Sequence, residues 1–267
     1  MGRQNGVLRA GEAGDFCPAR LRAARVDIAE HIGEFPEVEA AFSIPNTTLE
    51  LVRGQCPASL DDGGSLELVG FLWTQRGSEK PRVLHFHRVL AFDQDCAEHK
   101  TLKVEPEFRG DGLSSALLLR SFSLYKALGL RRVEVKAHME TGKWHWGRVG
   151  FDFERSDHLE RMKDWALEVV KRVGVRRPGI DKFTAAAQFA TMEGNRPVSL
   201  AEIGTTPYGD LGEIAKQNCL DPQEPIRLGR AVMLTGPAWD GHLDLYGPSY
   251  TQFKAYAEAK AEARQAG

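Results

Sequence analysis

Cysteine is scarce: four residues, Cys17, Cys56, Cys96 and Cys219, lie far apart in 267, with no C-x-x-C pair. That spacing argues against a disulfide framework and against a structural zinc site. No apolar run approaches the roughly eighteen residues of a membrane-crossing helix. The opening Met1-Gly2-Arg3-Gln4-Asn5-Gly6 has no signal-peptide apolar core and no Ser or Thr at position 6 for a myristoylation signal. Neither charge sign dominates, with 35 Lys and Arg against 37 Asp and Glu and a pI near 6.5. Nucleic acid and anionic membrane are therefore not expected as main partners. A cytoplasmic protein of one large or two small domains is the expectation, since 42% hydrophobic and 27% charged residues are ordinary globular values.

Two phosphate-binding signatures are also missing. Leu102-Lys103-Val104-Glu105-Pro106 reads as a strand running into Arg109-Gly110-Asp111-Gly112-Leu113-Ser114-Ser115 and then a long apolar-periodic helix. A dinucleotide fingerprint needs a third glycine where Ser115 stands, and a P-loop needs Gly-Lys-Ser/Thr. What is present is a glycine turn at a helix N-terminus. The first amides of such a helix lack intrahelical partners, and with the helix dipole and Arg109 they suit a pyrophosphate. Residues 103 to 148 carry nine Lys or Arg against five Asp or Glu, a local positive excess in a chain of net charge −2.

Arg-x-x-Gly-x-Ser after a Val-x-Pro strand resembles the acyl-CoA loop of the GNAT superfamily of N-acyltransferases, with Ser114 where that pattern prefers Gly or Ala. The neighbourhood follows the same order. A helix over Leu113 to Leu128 ends at Gly129, a strand covers Arg132 to Ala137, a short helix covers Thr141 to Val149, and Gly150-Phe151 leads into a strand at Asp152 to Glu154. The resemblance implies an α/β fold with a mixed, mostly antiparallel sheet flanked by helices. It implies an acyl-CoA-binding core over 1–155 and an extension over 156–267 that is helical and loop-rich. It implies acyl-CoA as cosubstrate, held by Leu102, Lys103, Val104 and Arg109 to Ser115, with Trp146 against the pantetheine arm or acyl chain, and no metal.

Elsewhere the pattern predicts helices around Ala19 to Ile32 and strands at Val38 to Ile44, Thr47 to Val52 and Leu66 to Thr74. Val83 to Phe92 and Ala97 to Val104 form a hairpin about Gln94. In that register His85 faces Lys103, His87 faces Thr101 and Val89 faces His99, so the three histidines share a face while Glu98 and Lys100 lie on the other. A one-residue slip reverses these faces. Leu159 to Val173 is an amphipathic helix, 177 to 225 short helices and loops, Arg230 to Leu234 a strand or buried segment, and Tyr250 to Gln265 a polar helix.

Trp144-x-Trp146-x-x-x-Gly150-Phe151-Asp152, with Leu228-Gly229-Arg230 and Trp239 to Leu245, looks like the GNAT-like domains of bacterial peptide-modifying and polymorphic-toxin proteins. The tryptophans either pack on the sheet or wall an acceptor pocket.

Acyl transfer to an amine needs a base, a polarised carbonyl and stabilisation of the leaving thiolate. In the superfamily a strand bulge beside Leu102 to Val104 supplies amides, and a tyrosine often protonates the thiolate. Here that tyrosine's position holds Trp146, which is no acid. A histidine, Tyr125 or water is left for the task. Glu98 and His99 are the candidate bases, and His85 and His87 could join His99 in a cluster. His138 and Glu140 lie near the expected acceptor mouth. The function implied is an acyl-CoA-dependent N-acyltransferase acting on a primary amine, with an amine of a peptide as one acceptor and a chain longer than acetyl as one donor open to it. The alternatives are a non-catalytic CoA- or partner-binding module and a toxin-type acetyltransferase.

Overall fold

A computed structural model describes residues 36–55, 65–74, 79–138, 140–176 and 228–266. The helices expected around Ala19 to Ile32 and the segment 177–225 lie outside the described residues. The described elements are helix α1 (Pro36–Phe42), strands β1 (Thr47–Gln55), β2 (Ser65–Thr74), β3 (Arg82–Ala91) and β4 (Cys96–Val104), and helix α2 (Leu113–Ala127). Then come β5 (Arg132–Ala137), α3 (Glu140–Arg148), β6 (Asp152–Phe153), α4 (Ser156–Arg176), α5 (Leu228–Thr235), β7 (Trp239–Asp244) and α6 (Pro248–Ala266). The chain is thus mixed α/β, with mostly antiparallel strands and flanking helices.

Two compact units divide it. One comprises Met1–Val133 with Asp244–Tyr246 and Lys254–Gly267, the other Glu134–Leu243 with Gly247–Phe253.

In the first unit β1, β2, β3 and β4 pair in sequence order, each antiparallel to the last. β2 and β3 alternate buried and half-buried positions, as a sheet with one face on a core requires. Leu66, Leu68, Leu72, Leu84, Phe86 and Leu90 fill that face. The strand expected at Val38 to Ile44 is instead α1. Its buried Val38, Ala41 and Phe42 follow helical i, i+3, i+4 spacing, Pro36 sits at its start, and Glu37 and Glu39 occupy the positive first turn. Arg120 of α2 donates from Nε and Nη2 to the Ala40 carbonyl at 3.2 and 2.8 Å, satisfying a last-turn carbonyl of α1.

Gly70 shows how closely this core is packed. A Cβ there would lie 2.1 Å from the ring of Phe86, which itself stacks on Phe42 at 5.0 Å. Gly70→Ala is expected to lower stability by about 1–3 kcal/mol, the usual penalty of overpacking. Chemical denaturation checks this, and an unchanged midpoint would contradict the packing.

In the second unit the strand order is β5-β7-β6, so residues 239–244 lie between two strands drawn from before residue 155. No strand was expected there. The Asp-Gly and flanking turn residues obscure the alternation of buried Trp239, Gly241 and Leu243. Arg230 to Leu234 proves helical, within α5. Val232, Met233 and Leu234 are all buried, and three successive apolar residues carry no periodicity that separates a helix from a strand. Trp239 meets Phe153 edge-on at 5.0 Å, and Trp146 meets Phe151 at 5.1 Å.

Candidate functional site

The strand, turn and helix around residue 110 form as the local sequence dictates. β4 ends at Val104, Pro106–Phe108 makes one 3-10 turn, and Gly110 and Gly112 take left-handed φ values of +98° and +72°. A residue with a Cβ loses roughly 1–2 kcal/mol in that region, which is why glycines occupy the turn. Gly112 is the N-cap of α2, and the first helical bond runs from the Ala116 amide to its carbonyl at 2.9 Å. The amides of Leu113, Ser114 and Ser115 precede that bond and belong to the helix's unpaired first turn.

No acidic side chain stands in that turn to compete with an anion. A Cβ on Gly110 would meet no atom within 4 Å, so space is open in front of the turn. Arg109 and Asp111 are exposed, and Arg109 Nε donates to the Val104 carbonyl at 3.3 Å, tying the turn to the end of β4. Leu113 and Ser115 are buried and anchor the helix start, while Ser114 is half-buried. At its far end α2 closes through Gly129, at φ +77°, with the Leu130 amide donating to the Tyr125 carbonyl.

β4 carries the second element of the site. His85 pairs with Lys103 and His87 with Thr101, as the sequence predicts. The next pair is Arg88 with His99, not Val89 with His99, so Lys100 is an extra residue without a counterpart on β3. This bulge turns over everything before it in the strand. The expectation that His85, His87 and His99 share a face is therefore corrected. His99 joins Arg88 on the buried face, and Glu98 pairs with Val89 on the face of His85 and His87.

His99 is 3% exposed and lies between Phe122 and Tyr125 of α2, its Nε2 3.2 Å from the Tyr125 hydroxyl. Burial, aided by the Arg88 charge, holds its pKa well below 6.5, so it is neutral at neutral pH. Burial likewise pushes Tyr125 up to about 12. Both side chains are buried.

Glu98, in contrast, keeps a quarter of its side chain exposed and pairs with Lys100 of the bulge. Of the two candidate bases it alone faces outward. His87 is bound to Glu67 at 2.6 Å, and His85 stacks on Phe71 at 5.1 Å. Among the described residues no group of three or more His, Cys, Asp or Glu could hold a metal ion.

Lys103 is exposed, and Leu102 and Val104 are half-buried at the end of β4. Glu105, next in line, accepts from Arg82 Nε and Nη2 at 3.0 and 2.7 Å, and this holds its carboxyl below the usual range. That pairing fixes the strand end from which the turn departs.

In the second unit, Trp146 is 7% exposed in α3, His138 lies 3.5 Å from Asp240, and Trp144 is flanked by the guanidinium groups of Arg148 and Arg230. Sequence reasoning overlooked Arg88. A lone arginine in an apolar strand on the Leu84, Phe86 and Leu90 face was the signal available.

Fold and site together define a mixed α/β chain in which a glycine turn joins a bulged strand to an open helix N-terminus. Neither protein-family models nor curated proteins return a match to the sequence. Among solved structures the chain is similar to a crystal structure of nourseothricin acetyltransferase, at 13% identity and a TM-score of 0.29, over 45% of this chain and 80% of that one. It is also similar to a tandem GNAT protein from the clavulanic acid biosynthesis pathway, at 15% identity and a TM-score of 0.22, over 48% of this chain and 35% of that one.

Proposed function

We propose that this chain is an acyl-CoA-dependent N-acyltransferase that moves an acyl group from CoA to a primary amine. The carrying observation is the turn Arg109 to Ser115, with two left-handed glycines, an N-terminal helix turn free of acidic residues and open space in front of Gly110. Those features suit a pyrophosphate, and the bulged β4 beside them suits a pantetheine arm. Leu102, Lys103 and Val104 line that strand end, and residues 109 to 115 form the cradle.

The chemistry assigned to the protein is modest. The amine nitrogen bonds to the thioester carbonyl carbon, the carbon–sulfur bond breaks, and the CoA sulfur leaves with the electron pair. Glu98 takes the proton the amine gives up. Residues 1–155 serve as the acyl-CoA core, and 156–267 form an extension that supplies β7. The Trp144 to Asp152 and Trp239 to Leu245 motifs favour a peptide amine as acceptor and an acyl chain longer than acetyl. The cytoplasm, where acyl-CoA is made, is the proposed location.

Trp146, in place of a tyrosine acid, favours a second reading, a module that binds acyl-CoA without turnover. Acyl-CoAs of increasing chain length are expected to raise the melting temperature, since a ligand that binds only the folded state stabilises it. No rise with CoA or any acyl-CoA would overturn both readings. Release of free thiol with a panel of amines and short peptides separates them: turnover identifies the enzyme, binding alone the module.

A further inference from the structure

One buried charge in the first unit has no part in the chemistry just described. Arg88 is 0% exposed, at the centre of β3 between Phe86 and Leu90. Among the described residues no carboxylate pairs with it. Its Nη1 donates to the His87 carbonyl at 2.8 Å and to the Thr101 carbonyl, and its guanidinium lies 5.6 Å from the Phe86 ring centre. Burial pushes its pKa down to about 10, which leaves it a cation at neutral pH. A charge buried among apolar residues is costly, a cost that an apolar side chain in this place would avoid.

The location of its two acceptors supplies a reason for the cost. His87 and Thr101 are the last regular pair before the register breaks, and Arg88 itself begins the shifted register by pairing with His99. A bulge leaves backbone groups without ladder partners, and buried ones must be satisfied by something else. The competing arrangement is a regular ladder in which Lys100 rejoins β4. In that arrangement Glu98 and His99 exchange faces, because side chains alternate along a strand. Glu98 would turn into the core and His99 out of it.

We propose that Arg88 is the clamp that holds the β4 bulge, bonding the His87 and Thr101 carbonyls at the register break and so deciding that Glu98, not His99, is presented outward. The clamp also orients the backbone from 100 to 102, the stretch assigned above to the pantetheine and carbonyl. This inference rests on the acyltransferase reading for its meaning in catalysis, though not for its geometry. Arg88 is a positioning residue. It touches no reacting atom, and it acts through β4. The hydrogen bond between His99 and Tyr125 secures the same register from the helix side.

Two variants test the clamp. Arg88→Met keeps an unbranched stem and removes every donor, whereas Arg88→Lys keeps the charge but ends about one bond short of the place where Nη1 meets both carbonyls. Amide exchange at residues 99 to 102 is expected to quicken about tenfold or more in Arg88→Met, with β1 and β2 amides little changed, because the opening is local. In an active chain kcat is expected to fall about 100-fold, with the KM for acyl-CoA within about threefold, since misplacing a base costs rate more than binding. Arg88→Lys should lie between Arg88→Met and the native chain in both measurements. Unchanged exchange at 99 to 102 in Arg88→Met would overturn the clamp. So would a uniform rise across β1 to β4, or failure of both variants to fold, each of which would make Arg88 a general core residue. If the native chain neither binds acyl-CoA nor turns over, the acyltransferase reading fails, while the exchange data still decide the clamp.

Discussion

Gly112→Trp should abolish the thermal stabilisation that acyl-CoA confers while leaving a folded chain. At a ligand concentration about 100 times Kd, binding to the native state contributes about 2.7 kcal/mol. At about 2–4 °C per kcal/mol, a chain of this size gains about 5–10 °C. Gly112 has φ +72° at the N-cap of α2, so any side chain costs the free protein roughly 1–2 kcal/mol of backbone strain. That loss lowers the unliganded melting temperature by a few degrees and is separate from the loss of the ligand shift. A Cβ at this position meets the Lys260 carbonyl at 3.7 Å, an ordinary contact, and the melting transition of the unliganded variant checks that the indole beyond it leaves the fold intact. Gly112→Asn is the control. Asparagine tolerates left-handed backbone and is small, so it should keep most of the shift. A full ligand shift in Gly112→Trp would remove the turn from the binding site.

Glu98→Gln is expected to lower kcat by about 100- to 10,000-fold, the range for losing a general base, with the acyl-CoA shift retained. Glutamine keeps the size and outward placement of Glu98 but cannot take the proton from an attacking amine. His99→Ala provides the contrast. Its ring is buried against Phe122 and Tyr125, so its removal should cost about 1–3 kcal/mol of stability through the stranded Tyr125 hydroxyl. Turnover per folded molecule should fall far less than in Glu98→Gln. Steady-state rates, normalised to the folded fraction, check both. Full activity in Glu98→Gln would sink the assignment of the base.

These two residues also mark how far the sequence could be read. Glu98 and His99 are neighbours on one strand, and only one can face outward. Alternation along β4 was legible, and the pairs His85 with Lys103 and His87 with Thr101 form as the pattern predicts. Lys100 was not legible as a bulge. Its insertion depends on what the opposing strand and α2 offer, and no local signal in Glu98-His99-Lys100-Thr101 announces it. The helix at Pro36–Phe42, in contrast, was legible: Pro36 stands at its start and Val38, Ala41 and Phe42 follow helical rather than alternating spacing.

The turn from Arg109 to Ser115 and the helix that follows were determined by the sequence alone. Left-handed glycines, an uncapped N-terminus and a glycine stop at 129 are local chemistry, which needs no distant partner. The tertiary structure decided which side chains of β4 reach the surface, that residues 239–244 lie between β5 and β6, and that an arginine lies buried at the register break. Each of those depends on pairing between segments far apart in the chain. A shift of one residue in such pairing moves a side chain from the core to the surface, while the amino-acid pattern that encodes it barely changes.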